Sequence, residues 1–151
     1  MISFSLEEAQ LYRLLAGFFG RARIVPNMSV LAVCGGELPP GIPVQEAARL
    51  PANLGVWAKE NRCLFTIVDD DDTPKLVIDF EGLERSGIDA ERVEYQRVAR
   101  PLLSAAGVRF FTITGDEFAE LLKPSGRLDL FTLFKSRFEE LGYSFGPSSE
   151  T

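Results

Sequence analysis

The sequence contains no histidine. Histidine-based triads, histidine-bearing zinc sites and a histidine general base are therefore all excluded. Cysteine is scarce as well: Cys34 and Cys63 are the two present, neither in a CxxC pair. Such spacing gives no structural zinc site and implies no disulfide, so both are expected as buried free thiols. Long apolar runs are missing too, none approaching the roughly 18 residues of a membrane span. The opening MISFSLEEAQ lacks the basic region and apolar run of a secretory leader, which makes the cytoplasm the expected compartment. Basic residues are outnumbered, 16 Lys and Arg against 22 Asp and Glu, for a net charge of −6. That balance argues against a broadly basic nucleic-acid-binding surface while leaving room for a local basic patch.

What is present suits one compact domain. The chain has 151 residues, 46% of them hydrophobic and 25% charged, and a domain of this size buries roughly 70% of the surface its unfolded chain exposes. Residues 1–145 are expected to form that domain, with 146–151 as a flexible tail. Ser5 and Glu8 make a capping box, after which Leu11, Leu14, Leu15, Phe18 and Phe19 recur at helical spacing until Gly20, predicting a helix over 6–19. Pro26 and Asn27 interrupt the segment from Arg21 to Cys34, which predicts a short edge strand and a second short element. From Gly35 to Pro51, Gly and Pro are dense enough for a long loop.

Two β-branched apolar runs, Arg62 to Asp69 and Lys75 to Glu81, flank the acidic turn Asp70, Asp71, Asp72, Thr73 and Pro74, the pattern of a hairpin at the centre of a sheet. Acid runs of this kind are ordinarily solvated loops, although the same carboxylates can bind a cation. Asp89 can cap a helix from Ala90 to Ala106, with Tyr95, Val98, Leu102 and Ala106 on one face, Pro101 as a kink and Gly107 as the stop. The run from Val108 to Thr114 predicts a strand beside the hairpin, buried on both faces. Thr114 and Glu117 cap a short helix to Leu122, and a last helix carries Leu130, Phe131, Phe134, Phe138 and Leu141. Those phenylalanines and Trp57 read as core rather than as an interface.

The chemistry-bearing pattern is LVIDFEG. Asp79 and Glu81 lie two apart on a strand, so both project from one face roughly 7 Å apart. At an effective dielectric near 20 they repel by about 2 kcal/mol, and something must offset that: a metal, a basic partner, water, or a raised pKa. A divalent metal is the functional answer and a solvated strand end the structural one.

The order of parts around this pair resembles the PD-(D/E)xK nuclease superfamily, and within it small bacterial nuclease-like domains related to very-short-patch repair endonucleases. Glu8 followed by Leu11, Tyr12, Arg13 and Leu15, then Ile78, Asp79, Phe80, Glu81 and Gly82, then Ala105, Ala106 and Gly107 before Val108 to Ile113, match the family's succession over nearly the whole chain. The resemblance implies a restriction-endonuclease-like α/β fold, three layers α/β/α around a mixed sheet of about four strands. It also implies Mg²⁺ as the cofactor of an active member, held here by Glu8, Asp79 and Glu81, with the metal polarising phosphate and activating water. Glu8 has a competing role as the third residue of its capping box.

The sequence departs from that family at named places. Leu64 stands where a metal-binding Asp is usual, Glu81 stands where the superfamily lysine falls, and the histidine of some relatives has no counterpart. Lys75, four residues before Asp79, shares its face but lies well along the strand. Arg92, Gln96 and Arg100 form one helical stripe with Arg97 beside it, on a helix that relatives place near the site. The stripe could track phosphates, although charged stripes opposite an apolar face are the norm for surface helices. The expected function is thus a degenerate, non-catalytic nuclease fold serving as a nucleic-acid- or protein-binding module. A metal-dependent nuclease with a rearranged carboxylate site is one alternative, and a protein-interaction or regulatory domain without a nucleic-acid role is another.

Overall fold

The computed structural model describes residues 5–42, 48, 50–80, 90–123 and 129–140, apart from the side chains of residues 90–92 and 137–140. Helix α1 (Leu6–Phe19) starts at the expected capping box: the Glu8 N–H donates to Ser5 Oγ at 3.1 Å, and the Ser5 N–H donates to Glu8 Oε1 at 2.9 Å. A turn of 3-10 helix (Arg21–Arg23) leads into strand β1 (Ile24–Ser29), and Ser29 caps the single-turn helix α2 (Val30–Val33). Helix α3 (Leu54–Glu60) has no counterpart among the expected elements. Asn53 starts it by accepting from the Val56 N–H at 3.3 Å, but seven residues repeat the helical period too few times to show it.

Strands β2 (Arg62–Val68) and β3 (Pro74–Phe80) are the hairpin. Its acidic connection is self-satisfied: Asp69 Oδ1 accepts from the N–H groups of Asp71 at 2.9 Å and Thr73 at 3.0 Å. Asp72 takes the left-handed conformation at φ 62°, which Asp tolerates better than most residues. Arg23 pairs with Asp70 and Lys75 with Asp69. Helix α4 (Ala90–Ala105) contains Pro101, and Gly107 at φ 81° turns the chain into strand β4 (Arg109–Ile113). The Thr114–Glu117 capping box opens helix α5 (Gly115–Leu122), and helix α6 (Leu130–Glu140) follows. Asp89, Leu141 and the tail 146–151 lie outside the described residues, as does the side chain of Phe138.

The protein is an α/β fold with a four-stranded mixed sheet in the order β1-β2-β3-β4 and six α-helices among the described residues. The first three strands are antiparallel and β4 is parallel to β3, with α4 in the crossover between them. Parallel neighbours need such a connection. β4 was expected to be buried on both faces. Instead it is the last strand in this order, with Arg109 exposed, Phe110 and Thr112 half-buried, and Phe111 and Ile113 buried.

Two hydrophobic clusters sit on opposite faces of the sheet, as three α/β/α layers require. The first joins α1, α5 and α6, through Leu11, Leu15, Phe118 and Phe134, to Phe65, Ile78, Phe80, Phe111 and Ile113. The second joins α2, α3 and α4, through Val30, Ala58, Val98, Ala99 and Leu102, to Cys63 and Val77.

Side chains alternate along β3 between the two clusters, but along β1 they do not. Ile24 belongs to the first and Met28 to the second, although a uniform strand would put both on one face. Asn27, between them, has φ 56°. The β1–β2 register is kept on either side of it, Pro26 opposite Phe65 and Met28 opposite Cys63. The chain therefore changes which face it presents without slipping.

Candidate functional site

β3 is a buried apolar run interrupted by one acid. Leu76, Val77, Ile78 and Phe80 are all buried, and so is Asp79, at 2% exposure. Alternation places Asp79 on the same face as Val77, toward α4, while Ile78 and Phe80 face the α1 layer. A carboxylate taken this far from water must be met by hydrogen bonds or charge.

Helix α4 supplies one such contact. Gln96 Nε2 donates to Asp79 Oδ2 at 3.1 Å and to Thr112 Oγ1 at 3.3 Å. Thr112 is the residue of β4 directly beside Asp79 in the parallel register, so a single carboxamide spans two adjacent strands. One turn further along α4, Arg100 Nη2 reaches the same Thr112 Oγ1 at 3.5 Å, and its guanidinium lies over the Phe110 ring, 4.6 Å from the centroid. Tyr95 stacks on Trp57 of α3, ring centroids 6.0 Å apart, and meets Phe110 of β4 at a tilt, 6.4 Å away.

The neighbouring strand turns Cys63, not Leu64, toward this face. The face change in the β1–β2 ladder brings Cys63 into the α4-side cluster, while Leu64 packs on the other. Burial pushes the Cys63 thiol up to about 12; a hydrogen bond with Tyr95 pulls against that, and the charge of Asp79 and the nearby Cys34 add to it. Both cysteines are free. Cys63 is buried as expected, but Cys34, at the end of α2, is only half-buried.

The sequence-derived residues separate accordingly. Asp79 and Gln96 are brought together, with Arg100 alongside. Glu8 is not joined to them: its carboxylate is occupied by the Ser5 N–H, and α1 packs on the face of the sheet opposite Asp79. Glu81 and the Arg92 side chain lie outside the described residues. Lys75 sits at the far end of β3, its Nζ 3.8 Å from Asp69 Oδ2. Arg97 is exposed and pairs with Glu94, Nη2 to Oε2 at 2.6 Å, which raises the arginine and lowers the glutamate from their usual pKa values. Among the described residues, no group of three or more His, Cys, Asp or Glu is gathered where it could hold a metal ion.

The stripe Gln96–Arg100 was expected as an outer face, and for Gln96 the structure corrects that: its amide points into the sheet. Thr112, Tyr95 and Cys63 were not singled out as site residues. Only the parallel pairing of β4 with β3, and the face change at Asn27, bring Thr112 and Cys63 to Asp79's side. Chemically the arrangement is a buried acid held by a neutral amide, with an arginine at its margin. No helix of the described residues is long and apolar enough to cross a membrane. Comparisons with protein-family models, with curated proteins and with solved structures find no match to this chain.

Proposed function

We propose that this chain is a degenerate PD-(D/E)xK-type domain, non-catalytic, that serves as a binding module for nucleic acid or a protein partner. The supporting observation is the state of Asp79: 2% exposed and engaged by the Gln96 carboxamide. Phosphodiester hydrolysis by a bound metal needs several oxygen ligands facing one accessible point. Here Glu8 belongs to the opposite layer and β2 contributes Cys63 to the Asp79 face.

The partner surface in this reading is the outer part of α4, where Arg97 and Arg100 are exposed. Each guanidinium already has a protein contact, so a phosphate would compete with Glu94 or share Arg100 with Phe110. The test is incubation of the full chain with labelled single- and double-stranded DNA and RNA in millimolar Mg²⁺ or Mn²⁺, with anisotropy measured at two salt concentrations. The expected result is no cleavage. Binding that weakens steeply with salt identifies nucleic acid as the partner, and no binding rules out the nucleic-acid arm of the proposal. Metal-dependent cleavage that disappears in Asp79→Ala would overturn the proposal.

A further inference from the structure

We draw no further inference here: the strongest candidate, the ladder of Trp57, Tyr95, Phe110 and Arg100 on the α4 side of the sheet, spends its ring faces on its own members, and nothing in the structure shows what covers it.

Discussion

Gln96 and Asp79 meet across the boundary between helix α4 and the sheet, amide nitrogen to carboxylate oxygen at 3.1 Å. The second hydrogen of the same amide serves Thr112 at 3.3 Å. A neutral donor thus does part of the work of satisfying a buried charge, and it fixes the helix against two strands that are far apart in sequence. Hydrogen bonds to charged groups contribute about 1.5–3 kcal/mol, and the loss of a partner by a buried charge costs at least as much.

Gln96→Ala should therefore destabilise the fold by about 1.5–3 kcal/mol in urea denaturation. Asp79→Ala removes the group that Gln96 serves, so the double variant should lose less than the sum of the singles, with a coupling of about 0.5–3 kcal/mol. Strict additivity would show that the contact contributes nothing to stability.

Thr66 behaves in the opposite sense. It is fully buried on β2, opposite Val25 and Val77, and its hydroxyl finds no hydrogen-bond partner among the described residues. Thr66→Val replaces that hydroxyl with a methyl group of similar shape and keeps a β-branched residue in a strand. Stability should rise by about 1 kcal/mol. A loss of stability would mean that the hydroxyl is satisfied in solution.

The two thiols should differ in reactivity. Only thiolate attacks a disulfide reagent, and Cys63 is both fully buried and held protonated up to about pH 12. At pH 8 the folded protein should react at Cys34 first, and Cys63 should react only as the protein opens, at a rate that urea accelerates. Cys34→Ser should leave a single slow phase. The linkage has a definite sign: the folded pKa of Cys63 lies above the ordinary thiol value, so this group's contribution is complete below about pH 8.5 and is lost as pH rises toward 12.

Asp69 titrates the other way. The Thr73 N–H above all holds its carboxyl below the usual value; desolvation opposes that, and the Asp71 N–H with Lys75 and Arg23 nearby outweigh the opposition. A lowered folded pKa gives stability that is present above about pH 4 and is lost as pH falls through the folded value. Asp69→Asn should consequently flatten the acid limb of the stability curve, and the native Asp69 carboxyl should titrate below free aspartate in a carbon-detected NMR titration.

The legible parts of the fold were those with local causes. The capping boxes at Ser5 and Thr114, the Asp-rich hairpin turn and the Gly107 stop each concern a few adjacent residues, and each stands where the residues imply. Asp79 was legible through its spacing from Glu81 on a β-branched run, although that reading left it as a metal ligand or a solvated strand end, and the structure buries it. Its surroundings were not legible. Thr112 reaches it through a parallel pairing separated by a whole helix, and Gln96 resembles any polar residue on an outer stripe until that pairing is known. Leu64, where the resemblance implies a metal-binding Asp, packs on the face opposite Asp79, and Cys63 takes the α4 side; nothing local to β2 announces that, because the change of face sits at Asn27 on the neighbouring strand. α3 was missed because its one clear signal, Asn53, precedes a segment too short for periodicity.

That change of face has a consequence for how the molecule comes apart. Because β1 and β2 lend Ile24 and Phe65 to one cluster and Met28 and Cys63 to the other, neither cluster can dissolve without disturbing the same pair of strands. Both layers rest on the same strands, so unfolding should be one concerted event, seen as coincident denaturation curves from Trp57 fluorescence on one side and from backbone circular dichroism over the whole.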